Sequence, residues 1–75
     1  MAKRRAKYTT NLEWDAEKVK LLREFMGLTQ QQFADELGVR QQTVSEWEVG
    51  KYAPRRSTSK YLTLVAERAG FKYKA

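Results

Sequence analysis

The 75-residue chain contains no cysteine and no histidine. Without cysteine it forms neither a disulfide framework nor a thiolate metal site. Without histidine it lacks the commonest metal ligand and the usual general base at neutral pH. Its carboxylates are scattered along predicted helix surfaces rather than gathered in a setting that suits catalysis. We therefore expect neither an enzyme nor a protein that holds a metal or a cofactor.

Long apolar segments are also missing. No apolar run approaches the ~20 residues that are needed to span a bilayer. The basic N-terminus is not followed by the apolar stretch of a secretory signal. The length corresponds to one domain at most, whose small core supports a net stability of about 3–5 kcal/mol. These absences predict a cytoplasmic protein with a helical fold and short loops, and no membrane partner.

Positive charge is abundant, and it is unevenly distributed. The formal net charge is +6. Residues 1–12 contain four bases and no acid, residues 13–48 contain four bases and eight acids, and residues 49–75 contain seven bases and one acid. Two basic zones therefore flank an acidic middle. Such zones suit a polyanion, either nucleic acid or an acidic membrane surface, although basic tails can also serve only solubility.

Capping residues and apolar spacing predict the first two helices. Asp15 can accept a hydrogen bond from a free amide of the first turn, and Gly27 ends the helix that follows. Thr29 and Gln32 have the spacing of a capping box, and Gly38 closes the second helix after about two turns. Apolar residues recur at helical spacing in both segments.

Two more helices are predicted downstream. The third runs from about Gln41 to Glu48, with Val44 and Trp47 facing inward. The fourth follows a loop, is capped by Ser57 and ends at Gly70. No segment alternates like a strand. The sequence therefore predicts an all-α domain over residues 13–70, with a flexible basic arm at residues 1–12 and a short basic tail at residues 71–75.

Residues 30–49 have the pattern of a helix-turn-helix. Gly38 lies between two short helices, where the turn needs a positive φ that glycine adopts without penalty. Ala34 lies one helical turn earlier and is small enough for the helices to approach closely. The apolar residues that fix the angle between the helices are Phe33, Leu37, Val39, Val44 and Trp47. The same packing would also serve an ordinary corner between two helices.

The outward side of the third helix favours a helix-turn-helix that binds DNA over an ordinary corner between two helices. A solvated helix usually carries Lys and Glu pairs, whereas this one carries short or amide side chains: Gln41, Gln42, Ser45, Glu46 and Val49. Glutamine can bond the N7 and N6 edge of adenine with two hydrogen bonds, and glutamate can accept from the N4 amine of cytosine. This side of the helix therefore suits the edges of bases.

These motifs resemble the lambda-repressor/Cro (Xre) family of helix-turn-helix regulators. They are LTQ at residues 28–30, Ala34, Gly38 and WEVGK at residues 47–51, all in register. The likeness covers roughly residues 14–70. It implies a compact all-α fold of four to five helices, in which the third helix reads the major groove of DNA.

The resemblance also implies roles for individual residues. Base contacts are expected from Arg40, Gln41, Gln42, Ser45 and Glu46. Gln30 matches a phosphate contact at the start of the second helix, where free amides favour an anion. Arg23 and Glu48 match a pair that forms a structural salt bridge in such proteins.

Two positions depart from the family pattern. Arg40 stands where a Ser or Thr commonly caps the third helix, and it cannot accept the capping hydrogen bond. Our hypothesis is that this long cation serves guanine or phosphate instead. Glu46 repels phosphate unless it meets a cytosine amine or pairs with a neighbouring cation, and both roles remain open.

Most of the attraction to phosphate must come from outside the third helix, which carries little positive charge. The predicted phosphate contacts are Gln30, Thr43, Lys51, Arg55, Arg56, Ser57 and Lys60. The predicted arm contacts are Lys3, Arg4, Arg5 and Lys7. The arm either follows the DNA backbone or enters the minor groove, as in other helix-turn-helix proteins, or it is a solvating tail.

Together these expectations describe a transcriptional repressor of bacterial or phage type in the cytoplasm, associated with the nucleoid. It would read a short palindromic operator in double-stranded DNA as a homodimer. No small-molecule ligand is expected. The alternative is a regulator of antitoxin type, which binds a protein partner as well as DNA.

Overall fold

Four α-helices make up the part of the chain that the computed structural model describes, residues 14–71. They are α1 (Ala16–Phe25), α2 (Gln30–Leu37), α3 (Gln41–Glu48) and α4 (Arg56–Ala69). No strand occurs within these residues. The prediction of an all-α fold is therefore confirmed. Of the four to five helices expected, the described residues contain four. The predicted basic arm and residues 72–75 of the predicted tail lie outside the described residues.

The first two helices begin as their sequences predict. The Asp15 carboxylate accepts a hydrogen bond from the Lys18 amide at 2.9 Å. At the start of α2 the Thr29 hydroxyl accepts from the Gln32 amide at 3.1 Å, and the Gln32 side chain accepts from the Thr29 amide at 2.9 Å. Both caps satisfy backbone groups that a helix end leaves without partners.

The start of α4 differs from the prediction that Ser57 caps it. The N-cap is Arg55, whose side chain makes no capping hydrogen bond, and Ser57 lies exposed in the first turn. This earlier start adds Arg56 and Ser57 to the helix. The Ser59 amide donates to the Arg55 carbonyl at 2.7 Å. This backbone hydrogen bond closes a first turn that begins before Ser57, so Ser57 is not in the position that caps the helix.

The core joins all four helices and Trp14, which precedes the N-cap of α1. Its buried members are Trp14, Val19, Leu22, Phe33, Ala34, Val44, Trp47, Leu62, Val65 and Ala66. The Trp14 indole donates to the Thr63 hydroxyl at 3.0 Å, so its polar N–H is satisfied while its ring is buried. This bond ties the beginning of the described chain to α4. Because α3 is anchored by Val44 and Trp47, the core also fixes which side of α3 faces outward.

The turn between α2 and α3 depends on Gly38. Its φ of +73° lies in the left-handed region. The Val39 amide donates to the Ala34 carbonyl at 3.0 Å, which closes the end of α2. Ala34 is fully buried, so α2 lies close to its neighbours at this point. Within residues 14–71 no helix has the length and the apolar character that a membrane span requires.

Replacing Gly38 tests this turn. A Cβ at this position would meet no atom within 4 Å, so the cost of Gly38→Ala comes from the backbone alone. We expect the free energy of unfolding to fall by about 1–2 kcal/mol, and by less for Gly38→Asn, because asparagine adopts this conformation more readily. Chemical denaturation measures both values. A larger loss for Gly38→Asn than for Gly38→Ala would contradict the assignment.

Candidate nucleic-acid interface

The exposed side of α3 follows from the burial of Val44 and Trp47. With about 3.6 residues per turn, the direction opposite these two side chains passes through Gln42 and Val49. Gln41 and Gln42 are exposed, and Val49 is 73% exposed, the largest fraction among the large hydrophobic residues exposed in residues 14–71. The outward side of α3 is therefore a strip of amide side chains that ends in an apolar residue.

An ion pair holds the C-terminal end of α3 against α1. The Arg23 guanidinium contacts both carboxylate oxygens of Glu48, with Nε–Oε2 at 2.7 Å and Nη2–Oε1 at 3.0 Å. A third nitrogen, Nη1, donates to the Leu28 carbonyl at 2.9 Å. The side chains are only 15% and 6% exposed. The two residues that the sequence suggested as a structural pair are thus brought together in a two-point contact.

The surroundings of Arg23 favour its charged form. The hydrogen bond that Arg23 makes with Glu48 raises the pKa of Arg23 above its ordinary value. Burial opposes this rise, and the negative charges of Glu48 and Glu24 add to it. An arginine whose pKa rises further stays charged at any pH at which proteins fold. The Glu48 carboxylate therefore keeps a permanent positive partner.

A chain of side-chain hydrogen bonds leads from this ion pair to the exposed start of α3. Gln30 Nε2 donates to Glu48 Oε1 at 3.1 Å. Gln41 Nε2 donates to Gln30 Oε1 at 2.7 Å. Because a carboxylate only accepts, Gln30 must turn its nitrogen toward Glu48 and its oxygen toward Gln41. The amide of Gln41 is thereby oriented, and it retains one N–H and its carbonyl oxygen for another partner.

A separate contact lies further along α3. Gln42 Nε2 donates to Glu46 Oε2 at 3.2 Å. Glu46 is half-buried, and Ser45 beside it is also half-buried. The acid that departs from the family pattern therefore has a neutral partner on the same helix.

The basic side chains lie next to α3 rather than on it. Those in the loop after α3 and in the first turns of α4 are all exposed: Lys51, Arg55, Arg56 and Lys60. Arg40 is also exposed, and its side chain makes no capping hydrogen bond to α3. Thr43 and Arg55 line one cleft of about 510 Å³ between α3 and α4. The structure thus brings one predicted phosphate contact, Arg55, beside Thr43 and Glu46 of α3. The arm residues lie outside the described residues.

Two features of this surface were not predicted from the sequence. Val49 was noted on the outward side but was not assigned a role, although its helical spacing from Gln42 places it at the centre of that side. The contacts of Gln30 with Glu48 and Gln41 join residues that are distant in sequence. No local pattern indicates such contacts, because they depend on how α2 packs against α3.

The coupling between Arg23 and Glu48 can be measured with a double-mutant cycle. We expect Arg23→Lys and Glu48→Gln each to lower the free energy of unfolding, because lysine cannot reproduce the two-point contact and glutamine leaves the guanidinium without a charge partner. The coupling energy should be about 1–3 kcal/mol. The matched control is Lys60→Gln with Glu67→Gln on exposed positions of α4. Additive losses for Arg23 and Glu48 would show that the contact stabilises nothing.

Comparison with known proteins assigns the family. Neither a curated protein nor a solved structure matches the chain. A helix-turn-helix family model matches residues 19–62, which is more than half of the chain and contains α2, α3 and both members of the Arg23–Glu48 pair. The chain therefore belongs to the Xre/lambda-repressor-like helix-turn-helix family of DNA-binding regulators.

Proposed function

We propose that this protein is a sequence-specific regulator of transcription, a repressor that binds a short palindromic operator as a homodimer and reads it with α3 in the major groove. The observation that carries the proposal is the orientation of Gln41. The Arg23–Glu48 pair and Gln30 fix the amide of Gln41 at the exposed start of α3. A side chain that is ordered before binding loses less conformational entropy when it meets a base.

The exposed side of α3 offers the chemistry that base edges require. An amide with one free N–H and one free carbonyl oxygen matches the N7 acceptor and the N6 donor of adenine. Ser45 adds a hydroxyl that both donates and accepts. Val49 offers an apolar contact to the methyl group of thymine. Arg40, exposed just before α3, suits guanine or a phosphate.

Charge supports a division between reading and attraction. Within α3 the charged residues are Glu46 and Glu48, and Arg23 neutralises the second of these. The helix itself therefore attracts no phosphate. The exposed cations of the following loop and of the first turns of α4 supply that attraction in our proposal: Lys51, Arg55, Arg56 and Lys60. The free amides at the start of α4 add to it, together with Ser57, and Gln30 and Thr43 contact phosphates beside α2 and α3.

The palindrome and the homodimer follow from the size of the reading surface. One eight-residue helix contacts only a few base pairs. Proteins of this design reach useful affinity by binding two half-sites about one turn of DNA, or ~34 Å, apart. Occupying the operator is enough to repress, whereas activation needs a further contact with the transcription machinery. The predicted arm, residues Lys3, Arg4, Arg5 and Lys7, would extend the contact along the DNA backbone or into the minor groove.

A second candidate function is interaction with a protein, as in a regulator of antitoxin type. Exposed apolar side chains on α1 and α4 favour it. Phe25 is 54% exposed, and Tyr61 and Leu64 are each 41% exposed. Leu64 and Tyr61 also line a groove of about 220 Å³ with Met26. Such a patch suits either the second copy of a homodimer or another protein.

Selection of bound DNA from a random pool, at two salt concentrations, tests the proposal. We expect an enriched palindrome for the wild type. Gln41→Ala should relax one position in each half-site, because its side chain faces the bases. The matched control is Gln31→Ala, since Gln31 is exposed on α2 and bonds only Asp35 within that helix. Binding without sequence preference at both salt concentrations would overturn the proposal.

A further inference from the structure

Glu46 is an unusual residue for a surface that binds DNA, because a carboxylate there repels phosphate. It lies on α3 one turn after Gln42, and its Oε2 accepts a hydrogen bond from Gln42 Nε2 at 3.2 Å. Within residues 14–71 no cation lies at ion-pair distance from this carboxylate. Its main-chain carbonyl accepts from the Lys51 amide at 2.9 Å, which helps to fix the end of α3.

The bond between Gln42 and Glu46 determines how the Gln42 amide is turned. A carboxylate accepts hydrogen bonds and donates none, so Gln42 must direct its nitrogen, not its oxygen, toward Glu46. One of the two N–H groups of Gln42 is then occupied. What remains for DNA is one N–H and one carbonyl oxygen, in a fixed orientation on an exposed side chain.

This remaining pattern distinguishes the two purines. Adenine presents the N7 acceptor and the N6 donor in the major groove, and one N–H with one carbonyl oxygen matches both. Guanine presents two acceptors, N7 and O6, which would require both N–H groups of the glutamine. The nearby negative charge of Glu46 also disfavours the electron-rich edge of guanine and favours the amino group of adenine.

We propose that Glu46 is a positioning residue for sequence specificity, which fixes Gln42 in the orientation that reads adenine and rejects guanine. The inference rests on the proposed function, because it requires α3 to face the bases. It gives the acid a role that does not depend on contact with DNA. The carboxylate weakens the general attraction to phosphate and strengthens the discrimination between purines.

Operators that differ at one base pair test the inference. The position read by Gln42 is the one whose preference Gln42→Ala abolishes. There the wild type should prefer adenine over guanine by about tenfold or more. The isosteric variant Glu46→Gln should reduce this preference to less than about threefold. The amide of the variant can present either its oxygen or its nitrogen to Gln42, so the orientation of Gln42 is no longer fixed and both of its N–H groups become available for guanine.

Two controls separate the positioning of Gln42 by Glu46 from a direct or general effect of the negative charge. In the Gln42→Ala background, Glu46→Gln should leave the ratio of adenine to guanine binding unchanged. Glu36→Gln removes one negative charge from an exposed position on α2 and should leave the purine preference of the wild type intact. Equal melting temperatures for the wild type and Glu46→Gln check that the fold is unaffected.

Three results would overturn the inference while leaving the proposed function standing. In the first, Glu46→Gln keeps the purine discrimination of the wild type. In the second, Gln42→Ala relaxes no position of the operator. In the third, Glu46→Gln changes the preference at a neighbouring cytosine instead, which would mean that Glu46 reads a base directly. A wild-type protein without any sequence preference would instead contradict the proposed function itself.

Discussion

The contact between Arg23 and Glu48 is the interaction on which the arrangement of the exposed side of α3 depends. Helix α3 has only eight residues, and a helix shorter than about 12 residues is marginal in water. It also begins without a side-chain cap, because Arg40 occupies that position. Its stability therefore comes from neighbours: Val44 and Trp47 in the core and the guanidinium that holds Glu48. Because Glu48 also accepts from Gln30, the same carboxylate connects the anchoring of α3 with the orientation of its first glutamine.

This construction separates two tasks that a DNA-binding protein must combine. In the proposed function, hydrogen-bonding amides on α3 carry the information about sequence, and exposed cations beyond α3 supply the attraction to phosphate. A reading surface made of amides has no strong attraction for phosphates, so a wrong sequence is not held there by charge. The cost is that the affinity must come from Lys51, Arg55 and their neighbours, which attract any DNA equally. In this account specificity and affinity are changed by different substitutions.

Contacts between residues close in sequence, such as helix caps, could be predicted from the sequence. Contacts that depend on how the helices pack could not. The caps at Asp15 and Thr29 each involve residues three positions apart, so their spacing alone was sufficient. The prediction of Ser57 as a cap, made by the same reasoning, was wrong, because the hydrogen bond from the Ser59 amide to the Arg55 carbonyl starts α4 before Ser57. The contact of Gln41 with Gln30 could not be predicted, since it depends on the angle between α2 and α3. The family resemblance predicted which residues contact DNA, but it gave no prediction of how their amides are oriented.

The salt dependence of binding to the selected operator tests most directly whether reading and attraction are separate. Two double variants are compared with the wild type: Gln41→Ala with Gln42→Ala, and Lys51→Ala with Arg55→Ala. We expect the glutamine variant to lose preference for the operator over random DNA and to keep the slope of log affinity against log salt. The basic variant should keep the preference, and the steepness of its slope should fall by about 1.8, since each lost phosphate contact contributes about 0.9. A flatter slope for the glutamine variant, or a lost preference for the basic one, would contradict the account.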